Sequence, residues 1–269
     1  MSEDHKEMSI IDHLEELRWV VLRSLIAIVI AALVVFIFDD FFFDSVIFGP
    51  ANANFVTYQW LCKLGQSLGA DNTLCIEKLN FTLQNTETTG QFMVYIHTGF
   101  IIGFIIAFPV VFYQFWGFVR PALYDNEYKV ASGLIFWSTL LFILGVLFAY
   151  FILIPITFNF LSNFSISNVI KNDINLNSYF ELMSSLTLGC AIMFELPIVV
   201  YFLTKIGILS PEFMQKHRKY SIVIILLLAA IITPPDVISQ LIISIPLFIL
   251  YEISIYVSMR IIIKQKLIS

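Results

Sequence analysis

The sequence predicts an all-α, polytopic membrane protein: six transmembrane helices, both termini cytoplasmic, a short final helical hairpin and a structured outer loop. Three observations carry that expectation. Of the 269 residues, 59% are apolar and only 13% charged, whereas soluble domains run nearer a quarter charged. The apolar runs reach the roughly 20 residues that cross a hydrocarbon core about 30 Å thick. Lys and Arg gather on alternate connections, which is the bias that orients membrane chains.

The runs are Trp19–Phe38, Phe92–Phe118, Val130–Phe158, Leu182–Thr204, Tyr220–Thr233 and Val237–Met259, in a single membrane domain over 1–269. The second and third contain no Asp, Glu, Lys or Arg, and the first carries only Arg23 near its start, where a long side chain can snorkel to the interface. The first run does not read as a cleaved signal peptide, being too long, preceded by acids and followed by no small-residue cleavage site. With the N-terminus inside, twelve of the fifteen Lys and Arg face inward, and Lys63, Lys78 and Lys171 face outward. An odd number of spans breaks that bias.

The fifth run is 14 residues long, about 21 Å of helix. Thr233-Pro234-Pro235-Asp236 turns the chain directly into the sixth, because proline lacks an amide donor and ends helices. A membrane locally thinned around this hairpin is expected.

The segment 39–91 is expected to form an outer cap. It is rich in Asn, Thr and Gln, yet Phe55, Tyr58, Trp60, Leu64 and Leu79 argue for a folded element over a tether. Cys62 and Cys75 lie in it; on an oxidising side a disulfide is the favoured reading over two free thiols. Cys190 reads as a small core residue, and the triplet Asn80-Phe81-Thr82 is too short a glycosylation pattern to carry weight.

Glu195 stands near the middle of the fourth run, with Pro197 two residues on. An ionised acid at that depth costs several kcal/mol, about 3 on insertion scales, unless it meets water, a partner or a proton. Two readings are open: a protonated acid bonding a neighbouring helix, or a functional group facing water or a partner, the second being favoured. Glu252 in the last run divides evenly between the same readings. Gln240 and Thr233 are expected to seek interhelical hydrogen bonds, and His97 reads as a packing or interface residue. No His, Cys, Asp and Glu cluster has metal-ligand spacing, so no cofactor is expected.

On the inner side, Ser9–Arg18 reads as a short amphipathic helix lying along the interface before the chain turns into the first span, its Asp12, Glu15 and Glu16 towards water. The first inner loop carries a further acid, Glu127. Should these segments meet, Glu16 and Glu127 form a carboxylate pair suited to two adjacent guanidinium groups, since arginine forks onto a carboxylate and lysine cannot.

His13-Leu14-Glu15-Glu16-Leu17-Arg18 resembles the N-terminal signature of the TatC family. Phe108-Pro109, Tyr113 to Trp116, Phe118, Pro121 to Tyr124 and Glu127 resemble its first inner loop; Phe194-Glu195-Leu196-Pro197 resembles its fourth-span motif, and Thr233 to Asp236 with Ser239-Gln240 its last hairpin. Arg120, Lys129 as the one basic residue that follows Glu127, and the length of the outer cap depart from the pattern. The resemblance implies a bacterial cytoplasmic (inner) membrane protein, the signal-peptide receptor and assembly core of a system that exports folded proteins on the proton-motive force. It implies that Glu16, Arg18, Phe118 and Glu127 bind the twin-arginine signal peptide and that Glu195 lines a membrane face. It further implies that Thr233 and Gln240 dock the single-span TatA and TatB subunits, with Asp236 at the outer tip, in a complex that also holds further copies of the chain. The chain shows no GxxxxGK[ST] nucleotide loop and no nucleophile-base constellation, so an enzyme is not expected and energy must come from an ion gradient or from partners. The rival reading is a proton-coupled small-solute secondary transporter using Glu195.

Overall fold

A computed structural model describes residues 10–67, 69, 75–76, 79, 81–119, 128–167, 173–234 and 236–268, and their side chains except at 10–12, 119, 128–132 and 264–268. Lys6, Ser9, Lys78, Asn80, Arg120, Pro121–Tyr124, Glu127, Lys171 and Pro235 therefore lie outside the described residues, as do the side chains of Asp12, Lys129, Lys264 and Lys266. The chain is mainly helical. Five stretches are long and apolar enough to cross a membrane: His13–Ile37, Gly90–Phe118, Gly133–Asn163, Leu176–Lys205 and Val237–Ile263. The remaining expected span falls in a helix of 15 residues, Arg218–Ile232. Two compact units divide the chain, 1–38 with 97–139 and 39–96 with 140–269.

In the first unit, helix α1 runs unbroken over Ile10–Ile37. The expected interfacial helix over Ser9–Arg18 that turns into a separate span is thus overturned: the amphipathic stretch is the first turns of the span helix itself. Its sequence explains this, since no Gly or Pro occurs from Ile10 to Ile37 and Leu, Glu and Arg favour helix continuation. At 28 residues it is about 42 Å long, so the polar first turns extend past the hydrocarbon. Helix α3, Gly90–Val119, contains Pro109. It meets α1 at Gly103, where an added Cβ would lie 2.8 Å from the Ala32 amide nitrogen; only glycine allows backbones that close.

The second unit begins with the cap. A π-helical turn Phe41–Ile47, a 3-10 turn Gly49–Ala51 and helix α2, Val56–Ser67, follow α1. A disulfide joins Cys62 to Cys75. Strand β1, Thr82–Gln84, pairs in parallel with strand β2, Asp173–Asn175, so two stretches about ninety residues apart in the sequence share one small sheet. Thr82 Oγ1 donates to Asp173 at 2.6 Å and Asn177 Nδ2 to Glu87 at 2.6 Å.

The third run folds as helix α4, Tyr128–Phe148, a π-helical turn Ala149–Leu153 and helix α5, Ile154–Asn163. Pro155 has no N–H to give the carbonyl four residues back, and Thr57 of α2 donates its hydroxyl to that carbonyl, Phe151 O, at 2.5 Å. Tyr150 OH donates to Val46 O and Tyr179 OH to Ile47 O, each at 2.8 Å. Tyr58 OH reaches Pro50 O at 3.0 Å, and burial pushes its phenol well above the ordinary value, keeping it a donor. Hydroxyls from both sides thereby satisfy backbone carbonyls that turns and proline leave without helical donors.

The fourth run lies in one membrane-length stretch made of two helices: α6, Leu176–Phe194, and α7, Leu196–Lys205, part at Glu195. Pro197 removes the amide that would continue the ladder. Helix α6 passes α4 at Gly145, where a Cβ would stand 2.7 Å from Ala191 Cα. Beyond α7 come helix α8, Pro211–Lys216, helix α9, Arg218–Ile232, and helix α10, Val237–Ile268. Buried hydroxyls tie α10 to its neighbours, Thr157 to Ser239 at 2.7 Å and Thr204 to Ser258 at 2.9 Å.

Candidate functional site

The site expected on the inner side falls in the first unit, at the start of α1 and the end of α3. The His13 imidazole stacks on the Phe118 ring, centroids 4.3 Å apart and planes 19° from parallel. The signature segment therefore meets the end of α3. Glu16 lies three residues beyond His13, on the same helix face, and is half-buried, whereas Arg18 is exposed. Glu127, the other acid of the expected pair, is outside the described residues. A carboxylate beside a stacked ring pair offers a planar cation an anionic acceptor and π-faces together. The role of His13 in seating Phe118 was not foreseen, although His13 opens the signature motif and stands three residues before Glu16.

Glu195 sits at the break between α6 and α7 and is half-buried, with its Oε1 shut off from solvent. Glu252 is ion-paired: Arg218 Nη2 stands 2.8 Å from Glu252 Oε2, the two side chains 50% and 35% exposed. The partner was missed in the sequence because 34 residues separate the two, although both lie towards the same end of adjacent antiparallel helices. Gln240 makes the interhelical bond, donating to Leu226 O of α9 at 3.1 Å. Thr233 does not; its hydroxyl turns back onto Ala229 O of its own helix at 2.9 Å, as threonine hydroxyls do at a helix end. Asp236 is buried, and its Oδ2 accepts from the Ser239 amide at 2.6 Å, capping α10. Cys190 is buried in α6 and His97 is exposed on α3. Among the described residues no group of three or more metal-ligating side chains exists.

Polar groups gathered at helix ends and breaks, on helices of membrane length, define a multi-pass membrane protein. Residues 12–246 match the family described as Sec-independent protein translocase protein (TatC). The chain is 42% identical to the TatC of Blattabacterium sp. subsp. Periplaneta americana over 96% of its own length and 97% of that protein's. It is 34% identical to TatCy of Bacillus subtilis over 94% and 89%. A crystal structure of the twin arginine translocase receptor TatC in DDM superposes with a TM-score of 0.70 at 35% identity, covering 91% of this chain and 99% of that one. The chain belongs to the TatC family: it is a protein-transport component of twin-arginine, Sec-independent translocation.

Proposed function

We propose that the chain is the signal-peptide receptor and assembly core of its translocase, passing folded proteins across the bacterial cytoplasmic membrane on the proton-motive force. In this reading α9 is the fifth of six spans and both termini are cytoplasmic. The distribution of Lys and Arg supports that arrangement, and the 15-residue α9 spans by thinning the bilayer locally. Glu16 and Glu127 accept the two arginines of the signal peptide, with Arg18 and Phe118 shaping the site. Thr233 and Gln240 dock TatA and TatB, Glu195 faces a water-lined or partner-lined membrane surface, and Asp236 lies at the outer tip. Further copies of the chain share the complex.

The observation that carries the reading is the His13–Phe118 stack, which seats the helix face bearing Glu16 against the base of the loop bearing Glu127. A crystal structure described as a twin arginine translocase receptor, with the same fold at 35% identity, supports it from outside. The test is export of a folded twin-arginine reporter by variants. A hydrogen bond to a charged group contributes about 1.5–3 kcal/mol, so Glu16→Gln and Glu127→Gln are each expected to weaken binding of the purified signal peptide by about tenfold or more. Unchanged binding and export in the double charge reversal would remove the assigned roles. No observation favours the small-solute transporter.

A further inference from the structure

Between α7 and α9, the chain builds a surface that none of the roles above uses. Helix α7 ends in a left-handed Gly207, φ +80°. The Ile208 amide bonds Leu203 O at 2.9 Å and the Gly207 amide bonds Thr204 O at 3.0 Å, the paired closure that stops a helix and reverses the chain. The reversal leaves Ile206 and Ile208 exposed, at 54% and 67%. Helix α8 is then clamped on one side only. Buried Met214 packs with Val200 and Ile255, and Tyr251 OH donates to Met214 O at 2.8 Å. Phe213, the residue before Met214, is exposed, and its ring continues through His217 to Tyr220 at centroid spacings of 4.2 and 5.9 Å.

The charge on this surface is one-sided. Lys216 and Lys219 are exposed and Lys205 half-exposed. Gln215 reaches Met259, which brings the end of α8 beside Arg260, itself held over the Tyr256 ring at 5.1 Å. Glu212 is the local acid, and Glu252 is already matched to Arg218.

We propose that this surface, Ile206, Ile208 and Phe213 with Lys205, Lys216, Lys219 and Arg260, is a binding site for anionic phospholipid headgroups. The occupant follows from position. The surface lies where one membrane helix ends and the next begins, so the leaflet around it is the one anionic partner always within reach. Exposed Ile and Phe side chains enter the headgroup–acyl boundary, and cations above them meet phosphate. The placement rests on α9 crossing the membrane, as proposed above, but not on the peptide-binding roles of Glu16 and Glu127.

The test is native mass spectrometry of the full chain, purified in detergent and supplied with an equimolar mixture of phosphatidylglycerol and phosphatidylcholine. Wild type is expected to retain phosphatidylglycerol in preference. Lys216→Glu with Lys219→Glu is expected to lower that preference by about tenfold, while Lys216→Arg with Lys219→Arg keeps it and Lys63→Glu, in the outer cap, leaves it unchanged. Equal retention of the two lipids by wild type overturns the proposal, as does a preference that survives the charge reversal or falls equally with Lys63→Glu. Loss of export in the reversed variant without any lipid preference assigns the surface to a protein partner instead, and also overturns it. Signal-peptide binding measured on the same samples separates failure here from failure of the receptor reading.

Discussion

Thr57 and Pro155 show how a single residue can complete a backbone that another leaves open. Pro155 deprives Phe151 O of its helical donor, and Thr57 supplies a hydroxyl at 2.5 Å while itself 8% exposed. Leaving that carbonyl buried and unmet costs about 1–3 kcal/mol. Thr57→Val is therefore expected to lower the melting temperature in detergent, and much less so in a Pro155→Ala background, where the backbone amide returns. Equal loss in both backgrounds contradicts the pairing. Neither the break at Pro155 nor its donor was read from the sequence, which presents Val130–Phe158 as one run; 94 residues separate Thr57 from Phe151 and nothing local to either announces the other. The same limit hid the Arg218–Glu252 pair. Glu195 was legible because a carboxylate inside an apolar run contradicts its surroundings wherever the chain folds.

At the scale of elements, composition predicts which segments are apolar more reliably than where a helix stops. Helix α1 continues through the expected turn because nothing between Ile10 and Ile37 interrupts it, and amphipathic pattern alone does not bend a helix. The fourth run breaks at Glu195, two residues before Pro197, whose missing amide cannot continue the ladder. Helix α9 is too short to hold itself by length, and beside apolar packing two polar contacts among the described residues join it to α10: the Gln240 bond to Leu226 O and the Arg218–Glu252 pair. Partly exposed ion pairs contribute about 0–1 kcal/mol, so the pair acts on register more than on stability. Arg218→Glu or Glu252→Arg alone should speed hydrogen exchange in the first turns of α9 several-fold with little change in melting temperature, and the exchanged pair should restore protection. Persisting fast exchange in the double variant excludes a direct pairing.

At the scale of the whole molecule, the helical membrane class and the family were both present in the sequence, in run lengths and in four ordered motifs. The parallel pairing of β1 with β2 was not, because a three-residue strand has no periodicity to read. Of the expected receptor site, the acids stand out in the sequence by charge type, whereas the contact of His13 with Phe118 forms only once two distant helices pack. What makes that site a receptor, in the reading proposed here, is its geometry for guanidinium over ammonium.

The most direct measurement compares binding of a twin-arginine signal peptide with its twin-lysine counterpart, in wild type and in Glu16→Gln. Wild type is expected to favour arginine by about tenfold or more, the fork being lost with lysine, and Glu16→Gln to lose most of that preference. Wild type binding both peptides alike, or Glu16→Gln keeping the full preference, would contradict the central claim.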